Sequence, residues 1–350
     1  MTLLPDSPTP EELAKEVNLR YTSDSQPGFF RQRNGKSFIY YDEKGQRITD
    51  PKIIQRIDNL KIPPAWEDVW ICHLSFGHLQ ATGRDEKRKK QYIYHTRWSE
   101  IANQTKFDKM LYFSQALPSI RERVTQDMDL TGFKQKRILA TVVWLLDNTY
   151  IRIGNEEYAK DNSHYGLTTL RSKHVDIHGA IVTLEFTGKS GKDHAVEISH
   201  PQIIKTIKKL EELPGYELFK YIDDNGEKHT IDSQDVNEYI KEIAKDTITA
   251  KEFRTWGGTV LAGTRLRKIG DYKNKKELKQ NVTQAVCYVA KSLGNTPKVC
   301  RSYYVHPVIV KAYAKKILVP HFESCSKSKI RGLNRDEYAT TTLLQQHASV

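Results

Sequence analysis

The sequence predicts an α+β protein in two parts. A small, mostly antiparallel β domain covers residues 1–97. A mostly helical domain with a three-stranded β meander covers residues 98–350. Three observations predict this. Up to residue 97, short runs of aromatic and β-branched residues are separated by turn signals such as Asn34-Gly35. Beyond residue 98, apolar residues recur at helical spacing. Between residues 175 and 198 the pattern returns once to strands.

The elements follow in order. Residues 1–20 are a proline-punctuated lead into a short helix starting near Pro10-Glu11-Glu12. Strands at 29–33 and 37–41 flank Asn34-Gly35, and residues 42–45 form a second turn. A short helix at 53–60 is stopped by Pro63-Pro64. Strands at 68–72 and 90–94 bracket His78-Leu-Gln-Ala-Thr82. In the second part, residues 107–124 have helical spacing interrupted by Pro118. Residues 134–153 give the clearest helix: Ile138, Val142, Leu145 and Thr149 share one stripe, and Gly154 stands where a C-cap belongs. That places Arg152 at a helix end. Strands at 175–177, 181–186 and 194–198 make the meander, with turns at His178-Gly179 and Gly188-Lys-Ser-Gly191. Helices are expected at 201–213, 235–245, 250–268, 275–293 and 307–317. The last thirty or so residues, rich in Ser, Lys and Gln, define no element.

Composition narrows the class. A length of 350 residues suits two domains, each able to bury a core. Hydrophobic residues make up 38% and charged residues 28%, as in a soluble globular protein. The formal net charge of +12 suits a polyanionic partner, most simply nucleic acid. Cys72, Cys287, Cys300 and Cys325 have no metal-type spacing, so free thiols in a reducing compartment are expected. The first residues lack a signal-peptide pattern, and no apolar run is long enough to span a bilayer. A cytoplasmic protein, associated with the nucleoid, follows from this reading.

Four segments carry chemistry. They are Tyr150-Ile-Arg152-Ile-Gly154-Asn155, Phe186-Thr-Gly-Lys189-Ser-Gly-Lys192, Lys251-Glu-Phe-Arg254-Thr-Trp-Gly and Asn295-Thr-Pro-Lys-Val-Cys-Arg-Ser-Tyr-Tyr304-Val-His306-Pro. A phosphodiester is an anion that repels nucleophiles. Attack without a metal requires fixed cations around the phosphoryl oxygens and an acid for the leaving oxygen. Two arginines, a lysine and a tyrosine can supply these. Taken singly, each has a plainer reading. Lys189 would be a solvated turn lysine, Arg152 a helix-end arginine, Arg254 an exposed first-turn arginine and Asn295 a helix C-cap.

In this order and context the segments resemble the type IB DNA topoisomerases, closest to the bacterial and poxvirus-like branch. Leu19-Arg-Tyr-Thr-Ser-Asp24, Ile62-Pro-Pro-Ala-Trp-Glu-Asp-Val-Trp-Ile71 and Gly166-Leu-Thr-Thr-Leu-Arg171 extend the likeness to roughly residues 19–316. The resemblance implies ATP- and metal-independent relaxation of duplex DNA, without a cofactor, through a 3′-phosphotyrosyl link. It implies that Tyr304 is the nucleophile, because it immediately precedes Val-His-Pro; Tyr303 is then a packing residue and His306 a helix-entry residue. Arg152 and Arg254 would clamp the non-bridging oxygens, since guanidinium is planar and permanently charged. Lys189 would protonate the leaving 5′ oxygen, with Lys192 second in rank. Asn295 stands where many relatives carry histidine. An amide donates a hydrogen bond but is neither acid nor base, so proton chemistry falls to Lys189 and Lys251.

The front domain carries the binding signal. Gly83-Arg84-Asp-Glu-Lys87-Arg88-Lys89-Lys90-Gln91-Tyr92-Ile-Tyr94 mixes cations with aromatics on a strand. The plain reading is a solvated basic loop. The functional one is phosphate contact by Arg84, Lys87, Lys89 and Lys90, with groove contact by Gln91, Tyr92 and Tyr94; Lys192, in the second part, is also expected to contact DNA. The resemblance implies a monomer clamped around double-stranded DNA. Two alternatives stay open: a tyrosine recombinase, which typically has histidine where Lys251 stands, and a non-catalytic DNA-binding protein that kept the fold.

Overall fold

The computed structural model describes residues 9–35, 37–156, 159–160, 163–245 and 248–347. The chain forms two compact units, Met1–Lys106 and Phe107–Val350. Among the described residues no helix is long and apolar enough to cross a membrane.

The first unit begins with α1 (Pro10–Glu16), closed by a reciprocal capping box between Thr9 and Glu12. Its centre is a five-stranded antiparallel sheet of β1 (Gly28–Asn34), β2 (Ser37–Tyr41), β3 (Glu67–Cys72), β4 (Leu79–Arg84) and β5 (Lys90–Tyr94), in the order β2-β1-β3-β4-β5. Helix α2 (Pro51–Asn59), capped by Asp50, contributes Ile57 to a core with Tyr40, Val69, Ile71 and Ala81 on one sheet face. On the other face Phe30 pairs with Trp70, Trp70 with Thr82, and Thr82 with Tyr92. Strand β4 was not expected from sequence. Leu79 through Gly83 are all buried, so no polar alternation marks it.

The second unit carries most of the helices. Helix α3 (Thr96–Met128), which starts ahead of the division, runs unbroken through Pro118, contrary to the interruption expected there. Phe113, Leu117 and Ile120 are fully buried on either side of the proline, and this packing outweighs one lost backbone hydrogen bond. Helix α4 (Gln135–Thr149) stops at Tyr150, whose left-handed backbone (φ 56°) ends it ahead of the predicted C-cap at Gly154. The Tyr150 ring lies where a Cβ on Gly257 would go, so packing sets the helix end. Arg152 therefore stands on an irregular segment beyond the helix. Leu167 N–H donates to the Arg152 carbonyl (2.9 Å) and Thr168 N–H to the Ile153 carbonyl (2.7 Å), tying that segment to residues 166–168.

Strands β6 (Val175–His178), β7 (Ile181–Gly188) and β8 (Lys192–Ile198) form the expected meander. Helix α5 (Pro201–Glu211) follows, then a small hairpin, β9 (Lys220–Ile222) and β10 (Lys228–Thr230), that sequence patterning missed. Next come α6 (Ser233–Ala244), α7 (Ala250–Ile269), α8 (Lys275–Leu293), α9 (Pro297–Tyr303), α10 (Pro307–Ala314), α11 (Leu318–Ser324) and α12 (Arg335–His347). One core joins α3, α4, the meander, α5, α6 and the start of α7. A second joins the rest of α7 to α8, α10, α11 and α12. The final residues are thus not featureless: α12 buries Ala339, Thr340, Thr341, Leu343 and Leu344. Its threonines hid this face, because they read as polar. Thr340 and Thr341 donate their hydroxyls to the carbonyls of Asp336 and Glu337 within the helix, which lets them be buried.

Candidate active site

The seat of Tyr304 is built by α7. Tyr304 ends α9, its N–H donating to the Cys300 carbonyl (2.9 Å). Its own carbonyl accepts the Thr259 hydroxyl (3.1 Å), and that hydroxyl also accepts the His306 N–H (3.0 Å). Gly258 allows the approach: a Cβ there would lie 2.7 Å from the Tyr304 carbonyl oxygen. Tyr303 points outward and is 49% exposed. His306 Nδ1 accepts the Val308 N–H (3.0 Å) and caps α10. Burial, aided by Lys311, brings its pKa down to about 4, so the ring is a neutral cap at pH 7.

Arg254 is 4% exposed, which removes its reading as a solvated first-turn arginine. Its Nη1 donates to the Tyr150 carbonyl and its Nη2 to the Leu293 carbonyl (2.7 Å), at the ends of α4 and α8. These are carbonyls that a helix leaves without an internal partner. The guanidinium carbon stands 5.4 Å from the centre of the Tyr304 ring. Burial, then repulsion from Arg152, pulls the Arg254 pKa down to about 10, which leaves it charged at neutral pH.

Arg152 reaches the same place from the other side. Its Nη2 donates to Asn295 Oδ1 (2.8 Å). Asn295 follows Gly294, the left-handed C-cap of α8, and its own N–H donates to the Ala290 carbonyl (2.9 Å). Because Oδ1 takes the arginine, Nδ2 is the amide's remaining donor. The Asn295 and Arg254 side chains both lie within hydrogen-bond reach of the Tyr304 phenol, which favours its phenolate. Two buried donors beside the phenol suit an anionic oxygen there. Burial alone would raise the phenol pKa. Arg254 and Arg152 outweigh it, and the net shift is downward.

A cavity of about 330 Å³ collects these groups: Arg152, Lys189, Lys251, Arg254 and Tyr304 all line it. Lys251 sits one helical turn before Arg254 at the start of α7. Lys189 lies in the exposed three-residue turn between β7 and β8, with Ser190 and Gly191 at positive φ. Lys192 stands opposite Gly188 as the first residue of β8 and is not among the lining residues. Asn155, His164 and Tyr165 also line the cavity, and the sequence reading did not propose them. Only Asn155 lay within a quoted motif. His194 was missed as well. It stacks on Phe186 (5.0 Å, 10°) and fills the space that side chains on Gly188 and Gly294 would need, so it packs the lysine hairpin against the end of α8. Burial and the nearby Arg152, Arg254 and Lys192 favour its neutral form.

The residues proposed for DNA contact in the first unit surround the β4–β5 turn. Asp85 Oδ1 accepts the Lys87 and Lys89 N–H groups, which shapes the turn, and Asp85 Oδ2 accepts from Gln91 Nε2 (2.8 Å). Lys90, Tyr92 and Tyr94 alternate onto the exposed face of β5, where the two tyrosine rings lie parallel with centres 6.0 Å apart. Gln91 alternates onto the opposite face, with Ile93, rather than joining the tyrosines as the sequence reading grouped it. Phe30, 48% exposed on the tyrosine face, was not anticipated. Several of the cations have acidic partners: Lys90 with Asp24 (2.5 Å), Arg84 with Asp68 (3.7 Å) and Arg88 with Glu67 (3.9 Å).

Comparison with known proteins adds to this geometry. A family model described as the catalytic core of eukaryotic DNA topoisomerase I matches residues 95–324. A second, described as the N-terminal domain of bacterial DNA topoisomerase IB, matches residues 37–85. The chain is 33% identical over 296 residues to DNA topoisomerase 1B of Acanthamoeba polyphaga mimivirus, across 82% of this chain and 87% of that protein. It is 22% identical over 293 residues to DNA topoisomerase 1B of vaccinia virus (strain Copenhagen), across 81% of this chain and 89% of that protein.

Proposed function

The chain belongs to the type IB DNA topoisomerases, in their bacterial and viral branch, and from that membership we propose how its own residues carry the reaction. The Tyr304 phenolate oxygen attacks a backbone phosphorus, and the bond from phosphorus to the 5′ oxygen breaks. Lys189 gives its proton to that oxygen, which leaves as a hydroxyl. The phenol's own proton is lost to solvent, helped by the cations around it. Arg152 and Arg254 hold the non-bridging oxygens, with Asn295 Nδ2 as a further donor, and Lys251 adds charge at the mouth of the cavity. The freed strand turns about the intact one. The 5′ hydroxyl then attacks the phosphotyrosine, its proton returns to Lys189, and Tyr304 leaves as a phenolate beside the same arginines.

Bond energy is kept in the phosphotyrosine, so the cycle needs no ATP. Four cations supply the charge that a metal pair supplies elsewhere, so the cycle needs no metal. The observation that carries this reading is the gathering of Arg152, Lys189, Lys251 and Arg254 with Tyr304 around one cavity. The same reading gives the β5 face a share of the duplex contact and has a single chain enclosing the DNA.

The test is relaxation of supercoiled plasmid in EDTA without ATP, with SDS trapping of the covalent adduct. Wild type should relax the plasmid and be trapped. Tyr304→Phe should bind DNA yet form no adduct, and Tyr303→Phe should still form one. A trapped adduct in Tyr304→Phe would overturn the assignment, and dependence on a metal would overturn the cation argument.

A further inference from the structure

The match to the family catalytic core ends at residue 324, yet the helix beyond it makes side-chain ties to the helices around Arg254. The link is Arg121, on α3. Its Nε and Nη2 donate to the two Asp147 carboxylate oxygens (2.7 and 3.0 Å). Its Nη1 and Nη2 donate to the two Glu337 oxygens (2.8 and 2.7 Å), and Nη1 also reaches the Gly332 carbonyl (2.7 Å). All three guanidinium nitrogens are used. Burial works against the charge, but Glu337 and Asp147 more than offset it, so the arginine stays protonated.

Both carboxylates sit at helix ends. Glu337 also closes the start of α12, accepting the Asn334 N–H (2.8 Å) while its own N–H donates to Asn334 Oδ1 (3.0 Å). Asp147 stands in the last turn of α4, just before Tyr150 ends the helix. The Tyr150 carbonyl is the one that accepts from Arg254 Nη1. A second tie runs to α7 itself: Asp336 accepts the Thr264 hydroxyl (2.9 Å) and pairs with Arg267 Nε (3.4 Å). The C-terminal helix is therefore joined both to the helix whose end receives Arg254 and to the helix that carries it.

We infer that Arg121, Asp147 and Glu337 are positioning residues of the active site, through which the C-terminal helix α12 fixes the Tyr150 carbonyl and so aims Arg254. The inference rests on the catalytic role of Arg254 proposed above. A side chain held by a two-pronged carboxylate pair on each side has little freedom to shift. Loosening one pair lets the end of α4 move, and a displacement of about 1 Å in a catalytic group costs up to about a hundredfold in rate.

The experiment is single-turnover cleavage of a duplex with one scissile site, with the full chain in excess. Glu337→Gln keeps an acceptor for the Asn334 cap but loses the charged pair. It should slow cleavage and religation alike by about tenfold, within the range a small misplacement produces. DNA affinity should stay unchanged and the thermal midpoint should stay above the assay temperature. Placed on Arg254→Ala, Glu337→Gln should slow cleavage no further, because its effect runs through that side chain. A general loss of structure would slow both backgrounds by the same factor. Wild-type cleavage by Glu337→Gln, or equal slowing in the two backgrounds, overturns the inference. If Glu337→Gln does not fold, Arg121→Lys takes its place, since it keeps the charge and loses the planar fork. Normal cleavage by Arg254→Ala alone would instead overturn the proposed role of Arg254, a separate failure.

Discussion

At Tyr304 two effects oppose each other, and the balance can be measured. Burial disfavours the phenolate, while Arg254 and Arg152 favour it more strongly. Arg254→Ala removes the larger favourable charge and leaves the burial. The phenol pKa should then move upward. A pH titration of ring-carbon-labelled tyrosine would show it, with Tyr304→Phe assigning the signal; an unmoved midpoint would mean that the arginines do not hold the phenolate. At this scale the motifs were informative and the environments were not. Tyr304, Arg152 and Arg254 could be picked from their segments, but nothing near Arg254 in sequence says that it is buried. Its partners, the Tyr150 and Leu293 carbonyls, come from distant turns of chain. His194 carries no motif; it fills space left by two glycines and stacks on Phe186.

Elements were legible where one face meets water. Strand β5 and the meander alternate, the Asn34-Gly35 turn marks β1 and β2, and α8 was bounded correctly at both ends because Asn274 caps it and Gly294 closes it. Strand β4 and helix α12 were not legible, the first because both faces are buried and the second because threonines line its buried side. The β7–β8 hairpin was read correctly, and its turn places Lys189 on the cavity while Lys192 stays back on the strand. That position suits an acid that arrives with the DNA. An alkoxide leaves poorly without a proton, whereas a thiolate does not need one. Lys189→Ala should therefore cleave ordinary DNA very slowly, yet cleave DNA with a bridging 5′ sulfur at the scissile bond at close to the wild-type rate. Arg254→Ala should gain nothing from the sulfur, since its contact is to non-bridging oxygens. Rescue of Lys192→Ala or Lys251→Ala in place of Lys189→Ala would move the acid to that other lysine.

For the molecule as a whole, the formal net charge of +12 overstates how many cations stand ready for a phosphate. In the first unit Lys90, Arg84 and Arg88 already have carboxylate partners in Asp24, Asp68 and Glu67. These pairs are partly exposed, and such pairs contribute little to stability, so phosphates can replace the carboxylates at small cost. Binding then exchanges one ion pair for another at these positions, besides releasing counterions from the DNA. Asp24→Asn removes one competitor without changing shape. If Lys90 reaches a phosphate, this substitution should tighten binding to duplex of any sequence. Reversing the charge of Lys87, Arg88, Lys89 and Lys90 together should weaken binding and flatten the plot of log affinity against log salt by about 0.9 for each phosphate no longer neutralised. The two variants must move affinity in opposite directions for one reason. Tighter binding by Asp24→Asn with an unchanged slope in the charge-reversed protein would mean that Asp24 merely repels DNA at a distance. An unchanged slope with unchanged affinity would return the β4–β5 turn to an ordinary solvated loop.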